Sequence, residues 1–276
     1  MRNITIAALL ILVGICLPAL AQQEKPTFAE IAQATQKLAQ LQDSFEGAMP
    51  KGISVTVKES LRRGTPGKDL VVGYSIWIHG LPADTDLRQL QWPVDKAKPL
   101  AGFSGMTLNA DEQLICAGRK PEECHQGTHL DAPMLFAIKN PLAGEPFRMI
   151  FVAGDLRIPV SVEPNPVEGE DGGCKLSVVR LSAKFEVARI EGSGFPPNSD
   201  VHVIGTGDED ATEVTVKDQA ASVAKEPGVT VHANARGVLQ AMTTLNETAL
   251  KPSGEKTVSV TGDGCKPKVH YVWGAY

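Results

Sequence analysis

The residues best equipped for chemistry lie in one short stretch, ordered Cys116-x7-Cys124-His125-x3-His129. Two thiols and two imidazoles are the ligand set of a tetrahedral zinc site. The spacing argues the other way, because the cysteines stand apart instead of pairing as CxxC. In an exported chain such thiols also oxidise before they meet a metal. A disulfide is the expectation for Cys116 and Cys124. His125 and His129 then read as solvated loop residues, with no metal and no other cofactor.

Val72, Tyr74, Ile76 and Ile78 alternate with Gly73, Ser75, Trp77 and His79, the period of a strand with one buried face. With the aliphatic set inside, Trp77 and His79 stand on the outer face. An exposed tryptophan on a strand can serve as a carbohydrate platform. The same ring can instead cover a domain interface or receive an N-terminal helix. Trp92 and Trp273 read as core. Glu168, Glu170 and Asp171, and separately Asp208, Glu209, Asp210 and Glu213, form acidic loops, and neither follows a calcium-loop pattern. Gly102-Phe-Ser104-Gly105 lacks the spacing and the strand-to-helix context of a nucleophile elbow. His202, His232 and His270 alternate with apolar strand residues and point to solvent. No catalytic residue is nominated, and the chain reads as non-enzymatic.

The N-terminus sets the compartment. Arg2, the apolar run Ile4–Leu17 and Ala19-Leu20-Ala21 make a secretory signal peptide over residues 1–21. The apolar run is short of the roughly 20 residues a membrane span requires. Cys16 follows Ile15 where a lipidation box wants a small residue. The expected location is the periplasm or the cell exterior, with no integral membrane segment after cleavage. The net charge of −5 argues against nucleic acid and anionic membranes as partners and leaves an unknown protein or glycan ligand. Four cysteines follow the signal, and four allow three pairings. Their spacing favours Cys116–Cys124 and Cys174–Cys265.

The elements that must position these residues are mostly strands. A helix is expected over Thr27–Ala48, within an N-terminal segment of residues 22–50. It opens with the capping box Thr27-Phe-Ala-Glu30 and carries the stripe Ile31, Ala34, Leu38, Leu41, Phe45 and Ala48. That stripe serves either a short coiled coil or docking on the following domain; fewer than three heptads favour docking. From Gly52 the period becomes alternating. Short strands separated by Gly/Pro turns predict one sandwich over residues 51–165. A polar break, Pro164–Gly173, reads as the boundary, and about seven strands predict a second sandwich over residues 174–276. The expected class is all-β: two antiparallel immunoglobulin-like β-sandwich domains preceded by one α-helix.

Gly192-Ser-Gly-Phe195-Pro-Pro-Asn-Ser-Asp-Val201 is similar to the GxGFxPxxxV signature of bacterial immunoglobulin-like repeats of the IPT/TIG type. Asn234-Ala235-Arg236-Gly237-Val238 resembles the hairpin that follows in such repeats, without its acid. The resemblance covers residues 174–276. It implies a spacer, an adhesion module or a ligand platform, and it carries over no catalytic residue. The function expected from the whole is an exported structural or binding protein. Carbohydrate or peptide binding at Trp77 and His79 is the alternative, and a hydrolase with an unrecognised site in the first domain comes third.

Overall fold

The computed structural model describes residues 28–94, 96–117, 133–207, 212–216, 229–245 and 253–274. Helix α1 (Phe28–Glu46) comes first. Then follow β1 (Ser54–Arg63), β2 (Val71–His79), β3 (Arg88–Trp92), β4 (Leu100–Ala101), β5 (Met106–Leu108), β6 (Leu114–Cys116), β7 (Phe136–Lys139), β8 (Phe147–Ala153) and β9 (Leu156–Val162). These strands build the antiparallel sheets β1-β2-β7 and β4-β3-β8-β9, with the hairpin β5-β6 beside them. In β2, Val72, Tyr74, Ile76 and Ile78 are all buried, and so are Gly73 and Ser75 between them, while Trp77 and His79 are only partly covered. Ile76 and Ile78 share a core with Met149 and Phe151 of β8 and with Ile158 and Val160 of β9. Each such side chain contributes about 2 kcal/mol of apolar transfer.

Helix α1 docks by its last turn. Phe45 meets the indole of Trp92 edge-on at 4.5 Å, and the Arg157 guanidinium lies 4.8 Å from the Phe45 ring centre. The expected stripe is not buried along its length: Ala34 is exposed, and Leu41 is 48% exposed. A heptad spacing marks a face, and only part of this one is covered, with Leu38 and Phe45 half-buried. Thr27 of the expected capping box lies outside the described residues.

The second half comprises β10 (Glu168–Asp171), β11 (Cys174–Arg180), β12 (Val187–Ser193), β13 (Asp200–Gly207), β14 (Thr212–Val216), β15 (Val229–His232), β16 (Leu239–Leu245), β17 (Gly254–Thr261) and β18 (Lys268–Trp273). The sheets are β10-β11-β12-β16-β14 and β15-β13-β17-β18. The pairs β12–β16 and β13–β17 enclose the core, and β11 and β18 flank them, which is an immunoglobulin-like strand order. The described residues are therefore all-β apart from α1. Residues Glu168–Asp171, expected to be part of a linker, instead form an edge strand paired with β11. An edge strand with solvent on its outer face needs no apolar period. The turn out of it uses Gly172 and Gly173 at φ 57° and 83°, a left-handed pair that glycine adopts without strain. Arg62 and Arg63 complete β1.

Cys174 and Cys265 form a disulfide across 91 residues of sequence, tying the start of β11 to the turn between β17 and β18. A loop of that size is worth about 4–5 kcal/mol in the chain-entropy account. The two sequence segments that carry the repeat-like pattern touch each other. Phe195, 2% exposed, donates its N–H to Gly237 O at 3.2 Å, and Asn234 Oδ1 accepts from the N–H groups of Arg236 and Val238.

The β7–β8 loop joins the two sandwiches. Arg180 N donates to Gly144 O at 2.7 Å, Gly144 N donates to Asn165 O at 2.8 Å, and Arg180 Nε donates to Ala143 O at 3.0 Å. A Cβ on Gly144 would stand 2.6 Å from Val178 O and 2.7 Å from the Phe185 ring, whereas one on Gly154 would meet nothing within 4 Å. Both glycines have positive φ, 65° and 57°. Gly154→Ala should cost about 1–2 kcal/mol, the price of a left-handed residue alone. Gly144→Ala should cost a further 1–3 kcal/mol or so from overpacking at the joint. Equal urea midpoints for the two variants would show that the joint is not close-packed.

Candidate functional site

β2 puts Trp77 and His79 on its outer face, beside Thr56 of the neighbouring β1. Trp77 is half-buried, not the exposed ring that the strand period suggested. The tip of the β5–β6 hairpin reaches it, as Gln113 bridges to Trp77 and Ile78 N donates to Glu112 O at 3.0 Å. His79 is held from both sides: Nδ1 lies 2.6 Å from Glu112 Oε2 and Nε2 lies 3.0 Å from Thr56 Oγ1. Glu112 Oε1 also accepts from Gly80 N at 3.2 Å. The His79 hydrogen bond, then the Gly80 N–H, holds the Glu112 carboxyl below the usual carboxylate range. Glu112 adopts φ 60°, an uncommon backbone state for a non-glycine residue. The result is a hydroxyl, an imidazole and a carboxylate fixed in a row next to an indole. His79 and Glu112 remain 37% and 43% exposed, so a ligand can reach them.

A second constellation lies on the second sandwich. Glu168, Glu170, Lys175, Ser177, Glu191 and Ser193 line a groove of about 360 Å³ on the β10-β11-β12 face. Beside it, the half-buried Glu163 carboxyl is pushed up to about 7, first by burial and then by the like charges of Glu191 and Glu168. Arg189 and Arg148 oppose that shift. Arg189 Nε stands 2.6 Å from Glu191 Oε1 but off the line of its N–H, an ion pair without a hydrogen bond.

Of the cysteine–histidine stretch, Cys116 ends β6 as a buried residue, while Cys124, His125 and His129 lie outside the described residues. The expected Cys116–Cys124 bridge falls there too, as do Asp208, Glu209 and Asp210. Among the described residues, no three metal-ligating side chains converge, and no helix is long and apolar enough to cross a membrane. Trp92 and Trp273 are core, 2% and 6% exposed. The reading from sequence missed Thr56, Glu112 and Glu163. Thr56 was legible, because the β1 alternation puts it outward. Glu112 and Glu163 become visible only through pairings distant in sequence.

No family model matches this chain, and no curated protein matches it. Among solved structures, a glycosyl hydrolase family 2 member from Bacteroides cellulosilyticus is 10% identical at a TM-score of 0.26, covering 81% of this chain and 28% of its own. Trypsin-activated alpha-2-macroglobulin from Escherichia coli is also 10% identical at a TM-score of 0.26, covering 84% of this chain and 17% of its own. The chain thus spans less than a third of either protein, and likeness at that level carries no functional argument.

The Glu163 shift has a definite sign. A carboxyl raised from 4.5 to about 7 favours the folded state while it is protonated, so that stabilisation holds below 4.5 and is lost as pH rises through about 7. Glu163→Gln should therefore be more stable than the parent at pH 8, by about 2 kcal/mol after discounting for solvent exposure, and the two should converge at pH 4. Urea unfolding at pH 4, 6 and 8 measures the difference. A constant offset across that range would remove Glu163 from the account.

Proposed function

We propose that this chain is an exported, non-enzymatic binding protein of the periplasm or cell surface, with its ligand face at Trp77 and His79. One observation carries the reading: His79 is fixed between Thr56 and Glu112 beside a half-buried indole. A sugar ring presents apolar C–H edges and many hydroxyls, so it is recognised by an aromatic surface flanked by donors and acceptors. Side chains already held by hydrogen bonds lose little further freedom when a ligand docks. The export reading draws support from the signal-like N-terminus and from the Cys174–Cys265 disulfide, a bond suited to oxidising compartments. A hydrolase is the second reading, favoured by the hydroxyl–imidazole–carboxylate order, which is that of a nucleophile relay.

A glycan array probed with the exported chain and with Trp77→Ala separates these readings. The binding reading expects retained glycans whose affinity falls at least tenfold in Trp77→Ala and in His79→Ala. Binding that Trp77→Ala leaves intact would move the ligand face elsewhere. A fluorophosphonate adduct on Thr56 in the intact mass would replace the binding reading with the hydrolytic one.

A further inference from the structure

Four histidines lie among the described residues, and their ring nitrogens are unequally engaged. His79 has both nitrogens occupied, as shown above. His270 places Nε2 3.5 Å from Glu255 Oε2 and Nδ1 3.3 Å from Thr257 Oγ1. His232 uses Nδ1 alone, 3.0 Å from Asp200 Oδ1, and His202 has no hydrogen-bond partner among the described residues. These last two sit on adjacent strands. In the antiparallel β13–β15 pair, Asp200 faces His232 and His202 faces Thr230. The intervening Val201, Val203 and Val231 are 1%, 0% and 2% exposed, so they point inward and both histidines point outward. His202 and His232 are exposed diagonal neighbours on one sheet face. Such neighbours stand about 7–8 Å apart, less between their β-carbons, a gap two imidazoles can close around one ion.

We propose that His202 and His232 form a two-imidazole chelate for a divalent transition-metal ion such as Zn²⁺ or Cu²⁺. Asp200 supplies the orientation. Its carboxylate accepts from Nδ1–H of His232 at 3.0 Å, which selects the tautomer that leaves the Nε2 lone pair for a metal. Imidazole donors favour copper, nickel and zinc over magnesium and calcium, which take oxygen ligands. No third metal-ligating side chain of the described residues joins the pair, so water completes the coordination shell. The two donors come from paired strands, whose backbone hydrogen bonds fix their spacing before the metal arrives. This site lies on a different sheet from Trp77 and does not depend on the ligand reading there.

Isothermal titration of the full exported chain with ZnCl₂ and with CuCl₂ at pH 7.5 tests the proposal. The expected result is one ion per chain at this site, with affinity falling at least tenfold in His202→Ala and in His232→Ala. Asp200→Asn should weaken binding about tenfold by releasing the orientation of His232. Both histidines are solvent-facing, and circular dichroism checks that each variant folds. Unchanged stoichiometry and affinity in the His202→Ala/His232→Ala double variant would overturn the proposal. So would loss of binding in a His125→Ala/His129→Ala variant alone. Trp77→Ala should leave metal binding intact, so the two sites fail or stand separately.

Discussion

The buried guanidinium of Arg180 is the point on which the two halves of the molecule depend. Only 2% of the residue is exposed, and burial lowers its pKa from the ordinary arginine value. Arginine nevertheless keeps its charge in proteins, so the fold must supply partners or lose several kcal/mol to an unpaired buried ion. Its partners include Ala143 O, Ala183 O at 2.7 Å, the Phe185 ring 4.4 Å beneath, and the charges of Glu145 and Glu186. Ala143 belongs to the β7–β8 loop of the first sandwich, while Ala183 and Phe185 belong to the second. Satisfying one charge therefore draws both sandwiches to the same place. Phe185 bears part of the cost, since it sits at φ 65° with no exposed surface.

The same strand is secured at its other end. β11 begins at Cys174, bonded to Cys265, and finishes at Arg180, so covalent closure holds one terminus and a charged joint holds the other. The connection between the sandwiches is clamped in consequence. Arg62 Nη2 donates to Pro164 O, Asn165 Nδ2 donates to Pro141 O, and Asn165 O accepts from Gly144 N. A connection fixed at successive residues cannot swing Glu163 clear into solvent, and so that carboxyl stays half-buried beside Glu168 and Glu191. The electrostatic strain at the groove follows from the mechanical constraint at the joint.

Most of the fold was legible because period-two patterning survives wherever one face is buried. The β2 set, the β8–β9 hairpin and the second core all follow from alternation, and the Cys174–Cys265 pairing from spacing. Three places resisted for separate physical reasons. β10 carries Glu168, Glu170 and Asp171 because it lies at an edge, where backbone pairing alone makes a strand. Leu41 satisfies the helical period yet stays 48% exposed, since periodicity names a face and not its partner. Lys256 occupies an inward position between Val258 and the end of its sheet, is 1% exposed, and has its pKa pushed down to about 7 by burial. Residue type places a lysine outside; alternation places it inside, and alternation prevails. Of the candidate site, Trp77, His79 and the outward histidines were readable from strand period. Glu112 was not, because its contact with His79 spans 33 positions and depends on a hairpin folding back over β2.

Both polar faces owe the placement of their strand residues to register. On β1 and β2, Thr56 lies opposite Trp77 and Ser54 opposite His79, so a one-residue slip would turn the indole and imidazole toward the core and Ile76 and Ile78 toward water. A bulge between Glu59 and Leu61 interrupts that pairing just beyond the site, and Ser60 Oγ meets Ser75 Oγ at 2.9 Å there. A bulge admits only one offset between its strands, and it thereby fixes which residues face each other upstream. The second sandwich reaches the same end by burial: Val201, Val203 and Val231 must all point inward, and His202 and His232 are left outward on a common face. In each sandwich the hydrophobic effect acts on alternate residues, and the intervening chemical groups are positioned as its consequence.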